Sequence, residues 1–187
     1  MDHTDFVIFL NGSYGAGKTS TLDHVGDLLA EAGKPFSLMD VDWFHRSWPP
    51  GAEDPANVIT EAANMAIVWR NYKRAGPRQL VVAGVIASME DRGRYEAAFG
   101  LPLRSVRLVA DESEIEARLR RRYTPEQGSS LKWHLDRYRE LNSALFNADL
   151  DEAIIQTSGC GPRGVAASVL AHFALRPGPD PVGYPGS

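Results

Sequence analysis

The sequence is poor in cysteine and lacks long apolar segments. Its 187 residues include one cysteine, Cys160, so no disulfide can form within the chain and no cysteine-rich zinc site can be built. The five histidines show no HExxH or similar ligand spacing. No stretch approaches the roughly 18 apolar residues that suggest a membrane span, and residues 1–5 do not resemble the start of a signal peptide. We therefore expect a cytoplasmic protein that has no membrane partner.

A strong excess of either charge is also lacking. The formal net charge is -4, and charged residues make up 24% of the chain, so there is no electrostatic basis for nucleic acid as the main partner. The length favours one domain with a sizeable core. We expect that domain to cover residues 1–175, followed by a disordered tail, residues 176–187, that is rich in proline and glycine.

Short apolar runs alternate with segments of helical periodicity along the domain. Strands are predicted at residues 6–10, 36–39, 79–86, 105–110 and 153–157. Helices are predicted at residues 18–32, 55–75, 90–99, 112–122, 131–148 and 164–175. This alternation predicts an α/β fold in which helices cover both faces of a parallel sheet, a three-layer α/β/α arrangement.

A glycine-rich segment joins the first predicted strand to the first predicted helix. Residues 12–19 (GSYGAGKT) match the pattern G-x-x-x-x-G-K-[ST] in full. In this setting the backbone N–H groups of the loop can surround a phosphate, and the helix N-terminus adds partial positive charge. A purely structural turn would not favour Lys18 in the first helical turn, because its charge opposes the helix dipole.

The segment therefore predicts a phosphate-binding loop (P-loop) that holds a nucleoside triphosphate. Lys18 would contact the β- and γ-phosphates, and the Thr19 hydroxyl would ligate Mg²⁺. The predicted nucleotide-binding residues are Gly12, Ser13, Tyr14, Gly15, Ala16, Gly17, Lys18, Thr19 and Ser20.

Together with the P-loop, two later segments resemble those of the small P-loop kinases. They are LMDVDWFHR (residues 38–46) and LVADESEIEARLRRR (residues 108–122). That group includes nucleoside monophosphate kinases, adenylylsulfate kinases, gluconate kinases and chloramphenicol phosphotransferases. The resemblance covers residues 6–175 and implies the sheet order 2-3-1-4-5, ATP and Mg²⁺ as cofactors, and a small lid. Residues 157–162 (TSGCGP) resemble the loop that lies along adenine in these kinases.

The third predicted strand departs from the pattern of many P-loop proteins. It lacks the aspartate that they place at its end to hold Mg²⁺. Thr19 is therefore the first candidate for holding the metal, and Asp40 is the second.

Two acids follow the second predicted strand, at the edge where α/β sheets bind ligands. The resemblance implies that Asp42 orients or deprotonates the acceptor hydroxyl and that Asp40 supports it. The alternative is that both acids only cap a turn. Next to them, Trp43, His45 and Arg46 would form one wall of an acceptor pocket, or else a hydrophobic patch beneath a loop in which His45 is merely hydrogen-bonded.

A cluster of arginines lies on one face of the fourth predicted helix. Arg118, Arg121 and Arg122 are three to four positions apart. The resemblance implies that Arg118 and Arg122 belong to a lid, continued by residues 123–130, and neutralise the transferred phosphoryl group. The alternative is a salt-bridged surface helix. Arg137 is a further candidate on the acceptor side.

These observations predict a kinase that uses ATP and Mg²⁺ to phosphorylate a hydroxyl of a small metabolite or antibiotic. Its catalytic residues would be Asp42, Lys18, Arg118 and Arg122. Two alternatives remain: a nucleoside monophosphate kinase, whose acceptor is itself a phosphate, and a nucleotide-dependent binding or switch protein. The N-K-x-D sequence that recognises guanine is absent, which disfavours a GTP-driven switch.

Overall fold

The computed structural model describes residues 5–121 and 123–175. Its strands are β1 (Val7–Asn11), β2 (Phe36–Asp40), β3 (Gln79–Ala83), β4 (Leu103–Val109) and β5 (Ala153–Gln156). All neighbouring strands pair in parallel, in the order β2-β3-β1-β4-β5. The predicted fold class and strand order are therefore confirmed. The predicted tail, residues 176–187, lies outside the described residues.

The described part of the chain contains six α-helices. They are α1 (Lys18–Glu31), α2 (Val58–Lys73), α3 (Met89–Phe99), α4 (Glu112–Arg120), α5 (Gly128–Ala148) and α6 (Pro162–His172). Helices α1 and α6 pack together on one face, and α2 and α3 pack together on the other. Helices α4 and α5 form a separate pair beside the P-loop.

Strand β1 is at the centre of the core. All five of its residues are buried, because β3 and β4 flank it and helices cover both faces. Ile8 and Leu10 contribute to the core beneath α1 and α6. Val7 and Phe9, which alternate with them, contribute to the core on the opposite face. The P-loop therefore starts from the most deeply buried strand.

Several predicted boundaries were wrong for local reasons. Helix α2 begins at Val58 instead of residue 55, because both carboxylate oxygens of Asp54 accept hydrogen bonds from backbone N–H groups, those of Ile59 (3.2 Å) and Thr60 (2.8 Å). Strand β3 ends at Ala83 instead of residue 86.

The predicted lid loop, residues 123–130, is mostly helical. Pro125–Gln127 form a 3₁₀ turn that begins with a capping box at Thr124, and Gly128 already belongs to α5. The hydrogen bonds of the capping box and the following helix stabilise this segment in spite of its glycine and serines. None of the described helices is long and apolar enough to cross a membrane.

Candidate active site

The P-loop passes so close to β4 that only glycine fits at its start. A Cβ atom on Gly12 would lie 2.7 Å from the carbonyl oxygen of Leu108. At the other end of the loop, Gly17 has a φ of 94° and precedes the first residue of α1, a conformation that side chains other than glycine's rarely adopt. The glycines of the motif thus shape a loop that ends at a helix N-terminus, as an anion site requires.

Lys18 folds back over this loop. Its ammonium donates hydrogen bonds to the carbonyl oxygens of Gly12 (2.8 Å) and Ser13 (3.1 Å). The positive charge is therefore already held against the loop that would surround a phosphate. A phosphate entering here would meet Lys18 without a large movement of the backbone.

Asn11 holds the start of the P-loop in place. Its Oδ1 accepts hydrogen bonds from the backbone N–H groups of Gly12 (2.9 Å) and Ile86 (3.1 Å). Its Nδ2 donates to the carbonyl oxygen of Ile86 (3.0 Å) and to the Asp151 carboxylate (3.1 and 3.2 Å). One buried side chain thus joins the P-loop, the segment after β3 and the segment before β5.

Asp151 completes a buried polar cluster below the loop. Burial raises the pKa of its carboxyl, and the hydrogen bond from Asn11 acts in the opposite direction. Nε of Arg107 lies 4.0 Å from the Asp151 carboxylate and has no hydrogen-bond partner among the described residues. The cluster is therefore an electrostatically costly part of the core directly beneath the site.

The two acids after β2 lie beside the P-loop. One carboxylate oxygen of Asp40 accepts a hydrogen bond from the Thr19 hydroxyl (2.7 Å), and the other accepts one from the backbone N–H of Asp42 (3.1 Å). Asp42 itself is exposed in the 3₁₀ turn Val41–Trp43. Asp40 therefore links Thr19 to the turn that carries Asp42.

Thr19 and Asp40 also suit the metal that the P-loop implies. Both offer oxygen ligands, the type that Mg²⁺ prefers, and Mg²⁺ usually takes only one or two protein ligands beside phosphates and water. No group of three or more histidine, cysteine or acidic side chains among the described residues would hold a metal by itself.

The aromatic residues after Asp42 point largely into solvent. Trp43 is 70% exposed and Trp48 90% exposed. Arg46 stacks over Trp43, with its Cζ 4.9 Å from the ring centroid, and donates to the carbonyl oxygen of Asp42 (2.9 Å). His45 contacts the buried Glu61, its Nδ1 2.8 Å from Oε2. None of these four lines either of the two cavities described next, so their acceptor role stays a prediction.

The first cavity, of about 400 Å³, lies beside the P-loop. Its wall is formed by the glycines of the P-loop, the first turn of α1, helix α4 and the loop after β5. The lining residues include Gly15, Gly17, Ser20, Arg118, Arg121, Thr157, Cys160 and Pro162. The loop predicted to lie along adenine thus forms part of this wall. The position and size of this cavity suit the base of a nucleotide bound to the P-loop.

Arg118 holds this wall together. Its Nη1 donates to the carbonyl oxygen of Gly15 (3.1 Å) and to Oγ1 of Thr157 (3.0 Å). Its Nη2 pairs with Glu114 (2.6 Å), which lowers the pKa of that carboxyl. Arg121 lines the same cavity, whereas Arg122 lies outside the described residues.

The second cavity, of about 360 Å³, also adjoins the P-loop. It is lined by Tyr14, Val85, Arg137, Glu140, Leu141 and Ala144. Tyr14 also packs near Trp133 and His134, with ring centroids 6.2 and 5.3 Å away. Adjacent P-loop residues, Tyr14 and Gly15, therefore line two separate cavities, and Arg137 belongs to the second as an acceptor-side residue would.

Sequence reasoning missed the residues that support the site from behind. Asn11, Glu61, Arg107 and Asp151 are far apart in the sequence and belong to no motif. The available signal was a polar residue inside an apolar run: Asn11 ends the run of β1, and Arg107 interrupts that of β4. A buried polar side chain requires a partner, although the sequence does not identify that partner.

Comparison with known proteins supports the fold. No protein-family model and no curated protein sequence matches the chain. Among solved structures, the tunicamycin resistance protein of Deinococcus radiodurans is similar with a TM-score of 0.60 and 20% identity, covering 92% of this chain and 98% of that chain. A gluconokinase from Sinorhizobium meliloti 1021 is similar with a TM-score of 0.56 and 18% identity, covering 91% and 93%.

A third similar structure is the shikimate kinase of Acinetobacter baumannii in complex with shikimate. Its TM-score is 0.54 at 20% identity, and the match covers 89% of this chain and 92% of that chain. The resemblance in the sequence and the likeness in structure thus point to the same group of proteins. The chain has the fold of the small P-loop kinases.

Proposed function

We propose that this protein is a kinase that transfers the γ-phosphoryl group of ATP to a hydroxyl of a small molecule. The observation that carries the proposal is that two separate cavities adjoin the P-loop, one lined by Gly15 and the other by the adjacent residue Tyr14. A nucleotide base in the first cavity and an acceptor in the second would flank the phosphates. This arrangement suits direct transfer between two bound molecules.

Each part of the site has a defined task in this mechanism. The P-loop N–H groups and Lys18 hold the β- and γ-phosphates, while Arg118 fixes the wall of the base cavity. Thr19 and Asp40 would hold Mg²⁺, which neutralises phosphate charge when bound. Asp42 accepts the proton of the acceptor hydroxyl while the oxygen of that hydroxyl bonds to the γ-phosphorus. The bond from that phosphorus to the bridging oxygen then breaks, and ADP leaves.

Release of ADP measured with Mg-ATP tests the proposal directly. The compounds to compare are gluconate, shikimate, simple sugars, nucleosides, nucleoside monophosphates, adenylylsulfate, tunicamycin and aromatic or aminoglycoside antibiotics. Release stimulated by one compound, with a mass gain of one phosphate on it, would establish the activity and its acceptor. Tight ATP binding without stimulation by any compound would contradict it and favour a nucleotide-dependent binding protein.

The Asp42→Asn variant tests the role of the exposed acid. We expect transfer to fall by at least about a hundredfold, because a general base contributes roughly that much, while ATP affinity stays within a few-fold. Asp23→Asn, which removes an exposed acid from α1, is the matched control. Unchanged transfer in Asp42→Asn would remove Asp42 from the mechanism.

A phosphate-bearing acceptor is the second candidate, because Arg137 lines the second cavity. However, Arg137 already pairs with Glu140 (3.1 Å), and a phosphate would be repelled by that carboxylate. Rapid ADP formation with a nucleoside monophosphate, and not with hydroxyl acceptors, would favour this candidate.

A further inference from the structure

The central strand ends in a buried asparagine. Asn11 is 0% exposed and follows the apolar residues 7–10 (VIFL), directly before the first glycine of the P-loop. An amide buried without hydrogen-bond partners is costly, and an apolar residue would continue the strand without that cost. The partners of Asn11 therefore show what this side chain holds in place.

Neighbouring groups use both ends of the Asn11 amide. Its Oδ1 lies between two donors, the backbone N–H groups of Gly12 (2.9 Å) and Ile86 (3.1 Å). Its Nδ2 lies between acceptors, the carbonyl oxygen of Ile86 (3.0 Å) and the Asp151 carboxylate (3.1 and 3.2 Å). A primary amide offers an oxygen with two lone pairs and a nitrogen with two N–H groups, so asparagine matches all of these partners.

The hydrogen bond to Gly12 bears on the position of Lys18. Asn11 holds the N–H of Gly12, and the carbonyl oxygen of the same glycine accepts a hydrogen bond from the Lys18 ammonium (2.8 Å). The carbonyl oxygen of Ser13 accepts a second one (3.1 Å). Asn11 thus fixes one end of the residue whose other end contacts the lysine.

The hydrogen bonds to Ile86 bear on the second cavity. Both the N–H and the carbonyl group of Ile86 are bonded to the Asn11 side chain, although β3 itself already ends at Ala83. Val85, the residue before Ile86, lines the second cavity. One side chain therefore joins the start of the phosphate loop to the segment that forms part of that cavity wall.

We propose that Asn11 is a positioning residue for phosphoryl transfer. Through Gly12 it sets Lys18 against the β- and γ-phosphates, and through Ile86 it sets the wall of the second cavity relative to them. Asp151 orients the Asn11 amide from behind. This inference rests on the proposed kinase function, in which the two cavities hold the two reactants.

Asn11→Leu tests the inference in the full-length protein, because leucine has a similar size and no polar side-chain atom. We expect the Kd of Mg-ATP to rise about tenfold, the effect of one lost hydrogen bond. With the acceptor found among the compounds above, kcat should fall by at least a similar factor, because the lysine and the cavity wall lose their fixed separation.

Gln79→Leu is the matched control. Gln79 is also buried (4% exposed), and its Nε2 donates to the carbonyl oxygens of Phe6 (2.9 Å) and Leu80 (3.0 Å). It is the first residue of β3, so it lies at the end of the sheet opposite the P-loop. Both variants should lose stability in denaturant unfolding, whereas only Asn11→Leu should lose ATP affinity. Equal ATP affinities of the two variants would overturn the inference.

An exchange of the two polar residues keeps the test decisive if Asn11→Leu folds poorly. Asn11→Asp alone places a second carboxylate against Asp151, and the repulsion between them should weaken ATP binding. In the double variant Asn11→Asp/Asp151→Asn, a carboxylate still accepts from Gly12 and Ile86, and the amide at position 151 can donate to it. ATP affinity should then return to within a few-fold of the unmodified protein. No recovery in the double variant would contradict the positioning role.

Amide hydrogen exchange separates this inference from the kinase proposal, because it requires neither nucleotide nor acceptor. In Asn11→Leu the exchange rate of the Gly12 amide should rise by a larger factor than that of Phe9 in β1, since Gly12 loses its hydrogen-bond acceptor. If no compound accepts phosphate, the kinase proposal fails, yet the ATP affinities and this rate still test the role of Asn11. Equal factors for Gly12 and Phe9 would overturn it.

Discussion

Arg118 shows how one side chain can join three parts of a binding site. Its guanidinium bonds to the P-loop, to α4 and to the loop after β5 at the same time. Lysine has a single ammonium group and lacks the planar fork of donors that these contacts use. The wall of the first cavity therefore depends on arginine at this position.

Arg118→Lys should weaken nucleotide binding more than acceptor binding. We expect the KM of ATP to rise about tenfold, equivalent to the loss of one or two hydrogen bonds, and the KM of the acceptor to stay within a factor of about two. Arg120→Lys is the matched control, because its side chain is 62% exposed and pairs weakly with Glu116 at 3.8 Å. Equal effects of the two substitutions would show that Arg118 does not shape the cavity.

At the residue scale, local motifs predicted where the P-loop lies between its strand and helix, and the ligand-binding roles of its residues stay predictions. The P-loop lies between β1 and α1 as expected, and Asp40 contacts Thr19 directly. The sequence could not predict the residues behind it, since Asn11 and Asp151 are 140 positions apart and meet only in the folded sheet. The resemblance to the small P-loop kinases implies that Arg118 contacts the transferred phosphate, and this role stays a prediction. In the structure Arg118 bonds to Gly15 and Thr157 in the wall of the first cavity.

At the scale of elements, the turn after β2 packs tightly against the end of β3. A Cβ atom on Gly84 would lie 2.6 Å from Cγ2 of Val41 and 2.9 Å from Cζ of Phe9. The absence of a side chain at this glycine makes room for the two buried side chains of Val41 and Phe9. Val41 directly precedes Asp42, so the packing at Gly84 sets the position of the acid.

Gly84→Ala should therefore disturb both stability and transfer. We expect a loss of about 1–3 kcal/mol in the free energy of unfolding, typical of overpacking, and slower transfer because the turn with Asp42 shifts. Gly93→Ala is a matched control: it lies within α3, nothing lies within 4 Å of the added Cβ, and alanine should stabilise the helix by up to about 1 kcal/mol. Denaturant unfolding of both variants measures the change in stability, and their transfer rates measure the change in activity. Retention of full stability in Gly84→Ala would contradict the packing argument.

Element types were predicted better than element ends. Within the described residues, hydrophobic periodicity identified the five strands and six helices, because their apolar faces pack in one of the apolar clusters. The ends depend on single capping contacts, such as those of Asp54 at α2 and Thr124 before α5. Glycine and serine after Thr124 indicated a loop, but tertiary context and the capping box favour helix.

At the scale of the whole molecule, the buried Asp151 should make stability depend on pH. Its pKa is raised by burial, so the folded protein retains this proton at pH values where the unfolded chain has released it. The folded state then binds more protons, and its stability falls as pH rises through this window. The window opens at about pH 4, the ordinary pKa of aspartate.

Asp151→Asn should remove this part of the pH dependence. The difference in unfolding free energy between the variant and the unmodified protein should shift in favour of the variant as pH rises above about 4. Asp149→Asn removes the same charge from an exposed position two residues away and should leave the slope unchanged. Denaturant unfolding between about pH 4 and 7 measures both. Parallel pH profiles for Asp151→Asn and the unmodified protein would contradict the raised pKa.

The central position of β1 has a consequence for how often different parts of the protein open and exchange their amide hydrogens with solvent. Because β1 is buried and bonded to strands on both sides, its amide hydrogens should exchange with solvent only through global unfolding. The P-loop begins where that strand ends, and the backbone N–H of Gly12 is hydrogen-bonded to the Asn11 side chain at that point. Helix α4 has nine residues and packs mainly through Ile115 and Leu119, so it can open locally and exchange sooner. Phosphates would thus meet a persistent loop, while the arginine-bearing wall opens on a much shorter timescale.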